Sequence, residues 1–216
     1  MRNRFDRQLE ELHVELIEMG SMCEDVIRKT SKLLQSGDAK VAKEIRKEDS
    51  NIDEQERLVE SLCLKLLLQQ QPVAKDLRKV SAALKMITDM ERIGDQADDI
   101  AEILLCRAGR PLSAGDALRD MARATIRMVS ESVDAYVRQD VDLAQQVIAA
   151  DDEVDGYFDR IKAHLIDRIA KDVDDGEATL DLLMIAKYYE RIGDHATNIA
   201  EWVMFSVTGV HKTEAT

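Results

Sequence analysis

Of the chain's 216 residues 45% are hydrophobic but only 4% aromatic, enough apolar material for one domain or two small ones around a mainly aliphatic core. Lys and Arg number 30 against 43 Asp and Glu, and the net charge of −13 argues against nonspecific binding to nucleic acid, which needs clustered bases. Cations or basic protein surfaces are the favoured partners.

Two prolines and nine glycines leave room for long helices. Apolar residues recur at helical spacing, with no strand-like alternation. A first helix is predicted from about Phe5 to Gln35, with Leu9, Leu12, Leu16, Met19, Cys23 and Val26 on one stripe. Gly37 and Asp38 end it and cap a second helix from Ala39 to about Gln70. Pro72 suits the first turn of a third, where its missing N–H costs nothing. That helix carries Leu77, Val80, Leu84 and Ile87 and ends near Gly109. Pro111 to Gly115 reads as a linker. A fourth helix is predicted from Asp116 to Arg138, and a fifth is opened by Asp140 and runs to near Asp172. After a break at Gly176 a sixth runs from Glu177 to Val207, and His211 to Thr216 reads as a loose tail. Helices joined by short turns are the grammar of an antiparallel bundle.

The second half repeats the first. Glu91 to Glu102 reads ERIGDQADDIAE and Glu190 to Glu201 reads ERIGDHATNIAE, identical at nine of twelve positions at an offset of 99. Upstream, Asp38 matches Asp140 and Asp53 matches Asp155 at an offset of 102. The three-residue difference falls between the second and third helices of each unit, where turns tolerate length change. The expected fold is all-α: two tandem antiparallel three-helix bundles related by an internal repeat, residues 1–110 and 111–216.

Turning about 100° per residue from Glu91, the residues Asp95, Asp98, Asp99 and Glu102 fall within about 80° of it, while Ile93, Ala97, Ile100 and Leu104 face the core. Glu190, Asp194, Asn198 and Glu201 occupy the matching stripe. Like charges at this spacing repel by roughly 0.2–0.5 kcal/mol per pair, so such a stripe calls for water or a cation. A solvated acidic face, with Arg92 and Arg191 as counter-ions, is the plain reading of one such stripe. Its duplication, together with mid-helix Gly94 and Gly193, each costing about 1 kcal/mol against alanine, points to close backbone approach or a ligand. On the second and fifth helices Asp49/Asp53 and Asp151/Asp155 are four apart, with Asp152 and Glu153 alongside. If neighbouring helices bring these pairs opposite the stripes, each unit holds a carboxylate set suited to Mg, Ca, Mn or Fe and lacking the thiolates and imidazoles of a zinc site.

Other signals are weaker. Glu10 and His13 give one Glu-x-x-His, where a di-iron bundle enzyme needs two. His195 points away from Asp194 and reads as ordinary. Met19, Met22, Met86, Met90 and Met128 read as core, as do Trp202 and Phe205. No nucleophile–base arrangement, phosphate loop or His–Cys metal spacing is present, so no catalysis and no organic cofactor are expected. Cys23, Cys63 and Cys106 read as reduced, partly buried thiols. No run approaches the roughly 20 apolar residues of a membrane-spanning helix. The charged stretch from Met1 to Leu12 offers no signal-peptide core, and a cytoplasmic location is expected.

The ERIGD blocks at 91–95 and 190–194, the run LLLQQQPVAKDLRKV at 66–80 and the Glu18-Met19-Gly20 segment resemble the PhoU family of bacterial phosphate-signalling regulators over essentially the whole chain. That resemblance implies two three-helix bundles side by side, often as a homodimer. It implies a non-enzymatic negative regulator of phosphate uptake and of the phosphate-starvation response. The implied partners are the ATPase subunit of the phosphate ABC transporter and a sensor histidine kinase, with membrane association only through them and no nucleic acid. Some members hold iron or other metal clusters on Glu/Asp-x-x-x-Asp motifs. By position these are Asp49, Asp53, Glu91, Asp95 and Asp99 in the first unit, and Asp151, Asp155, Glu190, Asp194 and Asn198 in the second. Asn198 and Thr197 stand where the first unit has Asp99 and Asp98, so the second site carries less negative charge and is expected to bind more weakly. The competing readings are a di-iron carboxylate enzyme and a metal-free structural adaptor.

Overall fold

The structure, a computed structural model, describes residues 2–70, 74–107, 115–170 and 176–210. They form six helices: α1 (Arg2–Ser36), α2 (Ala39–Gln70), α3 (Ala74–Cys106), α4 (Gly115–Arg138), α5 (Val141–Ala170) and α6 (Gly176–Thr208). The predicted helices are all present. Gly176, expected as a break, is the first residue of α6. Pro72, the linker residues 111–114, the predicted end of the fifth helix at Asp172 and the tail from His211 lie outside the described residues.

The turns follow from capping chemistry. Gly37 ends α1 in the left-handed region (φ 61°), its N–H donating to Leu33 O at 2.8 Å. At the equivalent place Gln139 takes φ 53°, and Asp140 N–H donates back to Ala135 O at 2.9 Å. This is a Schellman-type stop made without glycine. Asp38 then accepts Lys40 N–H at 2.9 Å, and Asp140 accepts Leu143 N–H at 3.0 Å. Each is an N-cap worth about 1 kcal/mol.

Helices α1, α2 and α3 pack on one another, as do α4, α5 and α6. The two bundles join through α3 against α6 and α1 against α4. Thus α1, α3, α4 and α6 form the middle of the molecule, with α2 and α5 on the flanks. One hydrophobic core runs through both bundles, from Leu12, Leu16 and Met19 through Ile93 and Ile100 to Met128, Ile192 and Ile199. Where α1 meets α4, a Cβ on Gly20 would stand 2.7 Å from Val133 Cγ2, so only glycine permits that approach. The repeat extends to buried polar contacts. Cys23 Sγ donates to Met90 O at 3.3 Å, and its counterpart Thr125 Oγ1 donates to Tyr189 O at 3.4 Å. Tyr189, fully buried, also places its hydroxyl 2.8 Å from Thr30 Oγ1, tying α6 to α1.

Most core expectations hold, including Met19, Met86, Met90 and Met128. Two residues depart from the predicted pattern. Leu77, in the first turns of α3, is 43% exposed. Cys106, at the C-terminal end of α3, is exposed, whereas Cys23 and Cys63 are buried free thiols. Trp202 and Phe205 are half-buried and meet edge to face at 5.9 Å. Among the described residues no helix is long and apolar enough to cross a membrane.

Candidate functional site

Helix α2 lies along α3 and α5 along α6, and each pairing sets two rows of carboxylates face to face. In the first repeat Asp49 is half-buried. Its pKa is pushed up to about 6, first by burial, then by the charges of Asp53, Asp98, Asp95 and Glu91. Five of the expected residues or their neighbours thus share one field. Glu91, Asp98 and Asp99 are raised as well, burial leading in each. In the second repeat Asp194 is pushed up to about 6 by partial burial, then by Glu190 and Asp151, with Lys187 pulling it down. Asp151 and Asp155 are raised from the same causes, burial first. Asp155 and Asp194 are exposed where Asp53 and Asp95 are half-buried, so the second cluster is the more open.

The mid-helix glycines face these clusters. A Cβ on Gly94 would stand 3.0 Å from Asp49 Oδ1 and 3.2 Å from Ile52 Cδ1. On Gly193 it would stand 3.6 Å from Asp151 Oδ1 and 3.4 Å from Val154 Cγ1. At Gly94 the missing side chain lets Asp49 close on the ERIGD helix, whereas at Gly193 a methyl group would meet only ordinary contacts. Asp49 Oδ1 is buried there without a hydrogen-bond partner, a state that costs free energy until a cation or donor arrives; Asp151 Oδ1 is buried likewise, but its carboxyl has the Thr197 hydroxyl beside it. An all-oxygen donor set with an orphaned buried oxygen fits a hard cation. Among the described residues no three acidic, His or Cys side chains stand close enough to form a finished coordination shell.

Present counter-charges are unequal. Arg92 reaches Asp95 at 2.9 Å and Glu91 at 3.4 Å, Arg57 lies 3.7 Å from Asp53, and Arg46 lies 3.3 Å from Asp98. All three arginines are exposed. In the second repeat Lys187 grips Glu190.

Two expected ligands go elsewhere. Asp99 turns to the α3–α6 seam and meets the Tyr188 hydroxyl. Asn198 donates to Asp89 Oδ1 at 3.0 Å, beside His195 Nδ1 at 2.9 Å from the same oxygen. Asp89 and Tyr188 are themselves equivalent at the offset of 99, so the seam has its own twofold logic. His195, read as ordinary, is therefore a seam residue outside the acidic cluster. Sequence reasoning missed Asp89, Tyr188, Glu56 and Lys187; Glu56 is raised by burial and by Glu60 and Asp53. Setting Thr88 beside Lys187 and Glu56 beside Phe158 at the repeat offset would have flagged Lys187 and Glu56, whereas Asp89 and Tyr188 need the α3–α6 pairing. Glu10 and His13 line a cleft of about 260 Å³, and His13 packs on the Tyr136 ring at 5.2 Å.

These features define a class: a duplicated helical bundle with one carboxylate cluster per repeat, set between an outer helix and the ERIGD helix. The PhoU domain model matches residues 16–104 and 118–203, one match per repeat. The chain belongs to the PhoU family. It is 36% identical over 212 residues to the phosphate-specific transport system accessory protein PhoU homolog of Clostridium acetobutylicum, covering 96% of each chain. It is 31% identical to the phosphate-specific transport system accessory protein PhoU of Escherichia coli, across 95% of this chain and 86% of that one. The crystal structure of PhoU from Pseudomonas aeruginosa superposes with a TM-score of 0.91 at 32% identity, covering 95% of this chain and all (100%) of that one. That of the phosphate transport system regulatory protein PhoU from Streptococcus pneumoniae gives 0.89 at 25% identity, covering 95% and 98%.

Proposed function

We propose that this chain is a cytoplasmic, non-enzymatic regulator that restrains phosphate uptake and keeps phosphate-starvation signalling off when phosphate is plentiful. It acts as an adaptor between the ATPase subunit of the phosphate ABC transporter and a sensor histidine kinase. It works as a homodimer, with residues 1–110 and 111–216 as its two units and a hard cation, Fe, Mn or Mg, held on the acidic clusters. The observation that carries this reading is the end-to-end match to phosphate transport accessory proteins. The acidic surface supports it, since a net charge of −13 suits docking to basic protein faces.

When bound, the cation would neutralise carboxylates that otherwise repel. Asp49, Asp53, Glu91 and Asp95 would hold it in the first repeat, and Asp151, Asp155, Glu190 and Asp194 in the second. The metal-free adaptor keeps one argument, that the arginines already offset part of the first cluster's charge.

Deleting the gene in its host should leave a phosphate-responsive reporter expressed in phosphate-rich medium. Unchanged repression in the deletion strain refutes the regulatory role. Pull-down of the tagged chain from phosphate-replete membranes should recover the transporter ATPase and the kinase.

A further inference from the structure

The two clusters come from one repeated block, yet three equivalent positions differ in a concerted way. The first repeat has Glu56, Thr88 and Asp98 where the second has Phe158, Lys187 and Thr197, at offsets of 102, 99 and 99. Glu56 extends the first cluster, its carboxyl raised by burial and then by neighbours that include Asp53. Asp98 adds to the charge that raises Asp49. In the second repeat both acids are gone, and the Thr197 hydroxyl eases Asp151 downward where Asp98 pushes Asp49 upward.

Lys187 completes the difference. Its ammonium binds both carboxylate oxygens of Glu190 and lies 5.3 Å from the centre of the Phe158 ring. Its charge also lowers Asp155 and Asp194. The residue that removes an acid, Phe158, is thus the one that supports the new base, through a cation–π contact. Thr88, in the same place on α3, is neutral and exposed. The arginine common to both repeats is used differently: Arg92, at the exposed rim, pairs with Glu91 and Asp95, while the charge of its counterpart Arg191 acts on Tyr188. Asp152, Glu153 and Asp159 add charge at the rim of the second repeat where the first has Ser50, Asn51 and Arg57; Asp152 raises Asp151 and Asp155, Asp159 raises Asp155, and Glu153 is paired with Arg127.

We infer that Lys187 is a resident cation of the second cluster, standing where a metal ion would otherwise be drawn, so that the first repeat is the exchangeable-cation site and the second is neutralised from within. This rests on the reading of the acidic clusters as cation sites. It gives the duplicated clusters separate tasks: one responds to divalent cations and the other is held permanently in a neutralised form.

The experiment uses the full chain stripped with EDTA and titrated with Mn2+ alone in a calorimeter. Lys187→Met keeps most of the aliphatic stem against Phe158 and removes the charge, and Thr88→Lys is the reciprocal change at an exposed position. Lys187→Met should tighten Mn2+ binding at the second cluster by about tenfold or more, the effect of one nearby charge, and adding Asp194→Asn should abolish the gain. Thr88→Lys should weaken binding at the first cluster by a similar factor. In EDTA, Lys187→Met should melt below wild type, since Glu190, Asp155 and Asp194 lose a counter-ion. Wild type filling both clusters with equal affinity overturns the inference, as does unchanged Mn2+ binding in Lys187→Met. If no variant binds Mn2+, the metal reading falls and the EDTA melts decide alone. A lowered melt then leaves Lys187 as the internal counter-ion of the second cluster but removes the first repeat's role as an exchangeable-cation site, and a wild-type melt overturns both.

Discussion

In the first repeat Asp49 lies half-buried among Asp53, Glu91, Asp95 and Asp98, with exposed arginines at the rim. In the second, Asp151 lies among Asp155, Asp152 and Glu190, with Thr197 beside it and Lys187 gripping Glu190. The caps, the mid-helix glycines and the buried Cys23 and Thr125 bonds match position for position, while the electrostatics do not. Backbone geometry in each repeat is tied to the shared core, where a misplaced methyl group is felt at once. Charges on the outer faces of α3 and α6 are under no such constraint, so duplication conserves the cradle and frees its contents to diverge.

The largest expected break in this comparison is metal-linked stability. Wild type should gain about 2.7 kcal/mol when Mn2+ stands at 100 times its Kd. Asp95→Asn should lose most of that gain and Asp194→Asn little of it, each at nearly constant side-chain volume. Scanning calorimetry with and without Mn2+ decides the point, and equal losses would put the two repeats on the same footing. If neither variant changes the response, both stripes are solvated faces.

Proton linkage gives a second handle. Asp49 has its folded-state pKa raised from an ordinary 3.8 to about 6, so between those values the folded protein binds more protons than the unfolded one. Stability of the metal-free chain should therefore fall as pH rises from about 4 to 6 and then level off. Asp49→Asn should flatten the slope. The partner contribution from Asp194 is smaller, because that residue is more exposed. Urea denaturation at several pH values in EDTA reads both; a curve rising with pH would mean the carboxylates are stabilised in the fold.

The smallest effect separates the two glycines. Gly94→Ala places a methyl group at 3.0 Å from Asp49 Oδ1 and 3.2 Å from Ile52, and should cost about 1 kcal/mol net. Gly193→Ala meets only ordinary contacts, starting at 3.4 Å, and should gain up to about 1 kcal/mol from helix propensity. Denaturant midpoints that move together would show that the second cradle is as tight as the first.

The helices, their caps and the duplication were legible because apolar spacing and the ERIGD blocks are local signals. The facing of Asp49 and Asp53 on Glu91 and Asp95 was legible only as a condition, since it depends on which helix lies beside which. Asp99 and Asn198 show the limit. A helical wheel puts them on the acidic stripe, but that stripe is wide enough to touch two neighbours, and its edge faces the other bundle. The partners Asp89, His195 and Tyr188 came into view only with the α3–α6 pairing, because a single wheel carries no information about the second helix. Lys187 was hidden for a different reason: one lysine in a helix of mixed charge has no meaning until its counterpart, Thr88, is set beside it.

The continuous core has a consequence for how the chain is made. The Thr30 hydroxyl of α1, which also donates to Ile27 O, meets Tyr189 of α6, and Gly20 meets Val133 of α4. During synthesis, which releases the N-terminal helices first, the apolar faces of α1 and α3 stand bare until α4 and α6 leave the ribosome. With contacts this distant along the chain, docking of the last helix closes the fold and holds back its rate. The nascent first repeat therefore carries uncovered apolar surface in the interval before its twin arrives.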